Sequence, residues 1–253
     1  MIRPVHTLDV APGVHRIEHA HTNCYIVVDD HRRATVVDAC FPATWAAVDQ
    51  CLAAARLTAD AVEAVVLTHG HFDHVGFARR VQQQFGVPVW VHRDDRDLAA
   101  HPYRYRPQKN RIVWPLFHPG GLPVLTTMVA AGALRVVGVA ADRELTDETT
   151  VPVPGSPVVA HLPGHTAGQC ALLLPDRDVV LSGDALVTLD PYTGRRGPRL
   201  VAPAATADVA QARRSLDRLD GTARVLLPGH GDPWTGGVAA AVERARREPG
   251  VSR

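Results

Sequence analysis

Apolar and polar residues alternate in short bursts through the first forty positions. VHRIEHA (14–20), CYIVVDD (24–30) and ATVVDA (34–39) are rich in β-branched residues and broken by turn signals, so they read as consecutive strands. Asp29-Asp30 marks a tight turn between the second and third. Then the period changes. TWAAVDQCLAAARL (44–57) carries apolar residues at helical spacing behind Thr44, a residue type suited to an N-cap. EAVVLT (63–68) is an apolar run of buried-strand type, GFARRVQQQFG (76–86) returns to helical spacing, and VPVWVH (87–92) is again a strand. This β-α-β-α order predicts an α/β architecture with helices packed outside sheets.

Residues 100–125 have no clear period and are rich in proline and arginine. They carry Tyr103, Tyr105, Trp114 and Phe117, and a long irregular loop of this kind is often a binding loop or lid. The second half resumes the rhythm. RVVGVA (135–140), TVPV (150–153), VVAHL (158–162), CALLLP (170–175) and DVVLSGD (178–184) read as strands, and residues 187–204 as a second irregular stretch. ADVAQARRSLDRL (207–219) reads as a helix, ARVLLPG (223–229) as a strand and GGVAAAVERARR (236–247) as a terminal helix. Two strand-rich halves, each ending in helices, predict two stacked αβ layers in one domain over residues 1–253, a length sufficient for one sizeable core.

Composition narrows the classes. Apolar residues make up 46% and charged residues 21%, as in an ordinary globular chain. No stretch approaches the roughly 18 to 20 uninterrupted apolar residues that span a bilayer. The start, MIRPVHTLDVAPG, has no apolar signal-peptide core, so the expectation is a cytoplasmic protein without a membrane partner. Net charge is +1 with the charges scattered, which leaves no electrostatic footprint for nucleic acid. Cys24, Cys40, Cys51 and Cys170 form no C-x-x-C pair and read as buried free thiols.

The candidate chemistry lies in the histidines. Thr68-His69-Gly70-His71-Phe72-Asp73-His74 places four metal-competent side chains within six positions, where a buried strand ends and a helix begins. His69 and His71, two apart, point the same way in extended backbone, while Asp73 and His74 lie past the turn. Gly70 would let the backbone pass close to an ion. The spacing suits two adjacent metals, and nitrogen and oxygen donors favour zinc, iron or manganese. Three later strand ends each meet a glycine-rich turn: LPGHTAGQ presents His165, LSGDAL presents Asp184 and LLPGHGDP presents His230. Each is weak alone. Together they supply one more imidazole per metal and a bridging carboxylate.

The order H-x-H-x-D-H, P-G-H-T-x-G, G-D and P-G-H-G resembles the metallo-β-lactamase superfamily, over nearly the whole chain from Asn23 to His230. The resemblance implies a four-layer αβ/βα sandwich with two divalent metal ions, zinc first and iron or manganese as alternatives, at one edge of the packed sheets. It assigns His69, His71 and His165 to the first metal, Asp73, His74 and His230 to the second, and Asp184 as the bridge. Asp38 matches an aspartate that supports the ligands. The implied activity is hydrolysis of a small-molecule ester, thioester or lactone by a metal-bridging hydroxide, with Asp73 both ligand and catalytic proton shuttle. The Thr68 and Thr166 hydroxyls are expected to orient imidazoles.

Other members of the superfamily fit less well. A glyoxalase II would carry a basic helical region after the last motif, where 23 residues follow His230 here. A β-lactamase would have a cysteine in place of Asp184. The runner-up is an oxidoreductase resembling the persulfide dioxygenases, which use one iron; a non-catalytic binding protein would have lost ligands. Tyr103, Tyr105, Trp114, Phe117 and Tyr192 are candidates for an apolar pocket wall, and Arg195, Arg196 and Arg199 for an anion contact. The same aromatics offer a homodimer contact as the alternative.

Overall fold

The computed structural model of the chain describes residues 2–219 and 223–248. Among these residues the strands are β1 (Val5–Ala11), β2 (Val14–His19), β3 (Thr22–Val28), β4 (Ala34–Val37), β5 (Val62–Val66), β6 (Val89–His92) and β7 (Arg143–Leu145), which form one sheet in sequence order. The strands from β1 to β4 pair antiparallel, and those from β4 to β7 pair parallel. A second sheet takes β8 (Val158–His161), β9 (Cys170–Leu174), β10 (Val179–Gly183) and β13 (Val225–Pro228) in the order β13-β10-β9-β8, while β11 (Val187–Leu189) and β12 (Arg196–Arg199) pair as a hairpin. Helices α1 (Trp45–Ala54), α2 (Phe72–Val75), α3 (Ala78–Phe85), α4 (Arg96–Ala100), α5 (Trp114–Phe117) and α6 (Leu122–Ala130) fall in the crossovers of the first sheet. α7 (Val209–Ser215) precedes β13, and α8 (Val238–Arg247) follows it.

Strand alternation builds the layers. On β3, Cys24 and Ile26 face a core shared with Trp45, Val48 and Leu52 of α1 and Val81 of α3. The intervening Tyr25 and Val27 face the other sheet, in a core with Val159, Leu172, Leu181 and Leu227. On the second sheet, Ala171, Val180 and Leu226 point outward to Leu216 and to Val238, Ala241 and Ala245 of the last helix. Three apolar interfaces therefore separate four layers, in the order helix, sheet, sheet, helix, which is the expected αβ/βα sandwich. Among the described residues, no helix is long and apolar enough to cross a membrane.

Several local expectations change. RVVGVA does not extend a sheet. Val136 and Val139 are buried, the Val139 amide donates to the Ala99 carbonyl at 2.9 Å, and a Cβ on Gly138 would lie 2.1 Å from the Ala100 carbonyl oxygen. The chain is thus pressed against α4 and joins the sheet only afterwards, as β7. TVPV yields a single bridge, Thr150 to Val158, since its Pro152 lacks the N–H a ladder needs. Both stretches read as irregular contain structure: α6 starts at Leu122, and the second holds the β11–β12 hairpin. Thr44 does not cap α1 with its side chain. Its hydroxyl accepts the Phe41 amide at 3.2 Å and pairs with His19 Nδ1 at 2.8 Å. All four cysteines are free and buried, as expected.

Leu172 sits fully buried on β9, an inner strand of the second sheet, facing the first sheet. Leu172→Ala is expected to cost about 3 to 5 kcal/mol through lost burial and an unfilled cavity. Urea unfolding would show this as a lower midpoint at unchanged slope.

Candidate metal centre

All seven predicted donors come together at one edge of the sandwich, each from a segment that follows a strand. His69, His71, Asp73 and His74 follow β5, His165 follows β8, Asp184 follows β10 and His230 follows β13. Their donor atoms form three overlapping groups that could hold an ion: His69, His71 and His165; His69, His74 and Asp184; and Asp73, His74 and His230. Asp184 is central, with Oδ2 3.2 Å from His230 Nε2, 3.4 Å from His165 Nε2 and 4.0 Å from His69 Nε2, and Oδ1 3.5 Å from His74 Nε2. Asp73 Oδ2 lies 3.3 Å from His230 Nε2 and 4.0 Å from His74 Nε2. His71 Nδ1 and His165 Nε2 approach to 2.9 Å.

The backs of the rings are held in place. His74 Nδ1 bonds Asp38 at 2.9 Å, His69 Nδ1 meets the Thr68 hydroxyl at 3.1 Å, His165 Nδ1 meets the Thr206 hydroxyl at 3.2 Å, and His230 Nδ1 donates to the His21 carbonyl at 2.9 Å. Each of these contacts turns the opposite nitrogen inward. Asp38, which sits at a left-handed φ of 61°, also accepts the Thr68 amide and hydroxyl, so it ties β4, β5 and a donor ring together. Thr166 does not orient an imidazole. Its hydroxyl donates to Asp95 at 2.7 Å, and Thr206 takes the expected place behind His165. Gly70 is required for packing, because a Cβ there would lie 2.6 Å from the Ala99 amide. Close approach to the cluster occurs instead at Gly229, whose added Cβ would stand 2.2 Å from Asp184 Oδ1.

Fully buried donors of this kind are costly unless something occupies their centre. Burial, reinforced by His74 for one and His165 for the other, holds His69 and His71 well below the usual imidazole range. Burial pulls His165 down to about 4. Burial also opposes charge on His74, but Asp184, Asp38 and Asp73 outweigh it and raise that ring to about 9. The Asp184 carboxylate, although buried, is held well below its ordinary range by His230 and His74. His69 Nε2, His71 Nε2, His74 Nε2 and Asp184 Oδ1 are buried without a hydrogen-bond partner. Such orphaned lone pairs, in a set of imidazoles and carboxylates, fit a borderline divalent cation such as zinc or iron.

Two supports were not legible in the sequence. Asp95, 1% exposed, accepts the Gly70 amide at 2.8 Å, the Gly168 amide at 2.7 Å and the Thr166 hydroxyl, so it joins the two loops that carry His69 and His165. Asn23 binds the Pro228 and Gly231 carbonyls at 2.8 and 2.7 Å and clamps the His230 turn. A lone aspartate after a strand and a lone asparagine within one carry no motif. Of the aromatic candidates, Tyr105 lies over His71 with centroids 4.3 Å apart, and its hydroxyl meets that of Tyr192 at 3.2 Å. Tyr103 stacks on Phe72 and bonds the Ala133 carbonyl, Trp114 is buried in a local cluster, and Phe117 is exposed. Arg199 is tied to Glu248 and Arg196 to Asp232, whereas Arg111, not among the candidates, lies 4.4 Å above the Tyr105 ring.

The profile of the metallo-beta-lactamase superfamily matches residues 19–230. The chain is similar to the Bacillus subtilis "Probable metallo-hydrolase YflN", at 28% identity over 69% of this chain and 66% of that one. It is 30% identical to an uncharacterized Mycobacterium leprae protein over 85% of this chain and 89% of that one. It is 25% identical to the hydroxyacylglutathione hydrolase GloC of Haemophilus influenzae, over 65% and 66%. Among solved structures, a metallo-beta-lactamase family protein from Thermus thermophilus superposes with a TM-score of 0.64 at 26% identity, covering 93% of this chain and 78% of that chain.

Asp95→Ala would leave two buried amides and a hydroxyl unpaired and release the His69 and His165 loops from each other. The expected result is metal retention weakened by about 10- to 100-fold, the range for lost support behind a ligand, measured by chelator competition.

Proposed function

The chain belongs to the metallo-beta-lactamase superfamily, and on that premise we propose that it is a dinuclear metal-dependent hydrolase of a small ester, thioester or lactone. One observation carries the reading: seven buried side chains converge on a common centre, where His69 Nε2, His74 Nε2 and Asp184 Oδ1 have no hydrogen-bond partner. In this reading His69, His71 and His165 hold one ion, Asp73, His74 and His230 hold the other, and Asp184 spans both. Zinc is the first choice of metal, since its preferred imidazole and carboxylate donors are those present. When bound, such ions supply a Lewis acid and a water of lowered pKa.

The chain's own groups supply the rest. Asp73, through the oxygen not turned toward His230, accepts the proton of the attacking water and returns it to the leaving atom. Asp38 keeps His74 fixed through this exchange, and Thr206 does the same for His165. The Tyr105 ring lies over His71 and its hydroxyl pairs with that of Tyr192, so one O–H of the pair is free to donate to a substrate carbonyl oxygen. The likeness to a hydroxyacylglutathione hydrolase supports a thioester among the first substrates to try.

Protein purified without chelator or added metal is expected to hold close to two divalent ions per chain by elemental analysis, and to hydrolyse members of a panel of thioesters, lactones and β-lactams. Close to one iron, with oxygen uptake on a persulfide, would replace this reading with the mononuclear dioxygenase. Asp184→Ala is expected to lower both metal content and turnover, the latter by at least about 100-fold, as removal of one charge-stabilising group in an active site does. Unchanged metal content and rate in that variant would end the dinuclear scheme. Tyr105→Phe is expected to lower kcat with little change in metal content.

A further inference from the structure

The near-neutral total charge hides an uneven distribution. Residues 98–141 hold Arg104, Arg106, Lys109, Arg111 and Arg135 but no carboxylate, so all 26 Asp and Glu residues of the chain lie outside this segment. Among the described residues none of these five cations has an ion-pair partner. Arg111 reaches the Tyr103 carbonyl at 3.4 Å and lies over the Tyr105 ring. The same segment carries most of the large apolar side chains left exposed among the described residues. Ile112, Leu116 and Phe117, on and just before α5, are 81%, 78% and 73% exposed, and Leu122 and Val129 on α6 are exposed too. An ordinary surface helix turns charged and polar residues outward. The outward positions of α6 are instead Leu122, Pro123, Thr126, Val129 and Ala130.

These features form one surface. α5 and α6 share an inner core, where Trp114 and Leu125 pack with Tyr192 and Val201, so their outer faces adjoin. The basic stretch is fastened beside them. The Tyr103 hydroxyl donates to the Ala133 carbonyl at 2.8 Å and accepts the Val136 amide at 2.9 Å, which brings Arg104 to the neighbourhood of Leu134 and Arg135. The Asn110 side chain accepts the Ile112 amide at 2.9 Å, so Lys109 and Arg111 stand at the start of the apolar strip.

We propose that this face docks on an anionic lipid surface. Ile112, Leu116, Phe117 and Leu122 enter the boundary between headgroups and acyl chains, and Arg104, Arg106, Lys109 and Arg111 meet lipid phosphates. Charge complementarity selects this partner. Unpaired cations beside exposed aliphatic groups match a surface that is anionic outside and apolar just beneath. Nucleic acid would satisfy the cations but leave the aliphatic groups in water. A second copy joined through the same patch would set these cations against their own equivalents. The absence of a spanning helix among the described residues, which leads to the expectation of no membrane partner, does not bear on a contact that stays at the surface. Docking of this kind is independent of the reaction at the metal centre.

The test is flotation of the full chain with vesicles of phosphatidylcholine mixed with phosphatidylglycerol, and with vesicles of phosphatidylcholine alone. Wild type is expected to bind the anionic vesicles at least about 10-fold more tightly than the neutral ones, and less tightly as salt is raised. Arg104→Gln combined with Arg106→Gln is expected to weaken binding to the anionic vesicles by roughly 30-fold, at about 5-fold for each cation. Leu116→Ser combined with Phe117→Ser is expected to weaken it by at least about 10-fold. All four side chains are exposed and outside the metal centre, so both variants should keep the melting temperature and metal content of wild type. Failure of wild type to bind the anionic vesicles, or equal binding by wild type and either variant, would overturn the docking face. A wild-type dimer in sedimentation that is broken by Leu116→Ser with Phe117→Ser would also overturn it, by giving the face to a second copy.

Discussion

Seven ionisable side chains packed into one buried volume are the constraint on which the rest of the structure turns. Five imidazoles and two carboxylates, none more than 5% exposed, cannot share a dry pocket without an occupant or a compensating pattern of charge. The pattern is visible: His69, His71 and His165 are held neutral by burial, while His74 and His230 are drawn toward the charged form by Asp184 and Asp73. Neutral imidazoles and ionised carboxylates are the forms that ligate metal. Electrostatics of the folded chain alone thus favour the ligating state of most of the set.

Such a cluster stands only because rigid layers oppose its relaxation. The two sheets bring the ends of β5, β8, β10 and β13 to one edge, and the apolar interface between the sheets fixes how closely they approach. Between the strand ends run hydrogen bonds with no slack. Asp38 joins β4 to His74, Asp95 joins the loops of His69 and His165, and Asn23 and Tyr25 on β3 hold the turn before His230. Glycine at 229 is needed because any Cβ would collide with Asp184. The functional groups lie on loops, but each loop is anchored to a strand within a few residues, which is the geometry a pre-organised site demands.

The two stretches without a simple period are built differently. Of their aromatics Tyr105 lies over His71, and Tyr192 meets the Tyr105 hydroxyl. The remaining apolar residues there divide between a local core around Trp114 and an exposed strip that includes Ile112, Leu116 and Phe117.

The chain by itself determined the alternation of strands and helices from β2 through β6, the pattern from β8 to β10, and the terminal strand and helix, but not β1, the edge strand Val5–Ala11. Local periodicity and turn chemistry carry that information within a few residues. It also singled out all seven side chains of the buried cluster, because H-x-H-x-D-H packs four of them into one short segment and the other three follow glycine turns at strand ends. Where long-range packing overrides local preference, only the tertiary structure decided. RVVGVA has the composition of a strand but is pinned to α4 by an amide and a glycine that no local rule singles out. Gly70 and Thr166 were legible as important but not for the right reason, since their partners lie about 30 and 70 residues away in the sequence. Asp95, Asn23 and Thr206 were invisible, because one polar residue has no pattern until folding shows which amide or ring it faces. The stacked pair of His92 and His161 belongs to the same class: 69 residues apart in sequence, they meet only because the two sheets do.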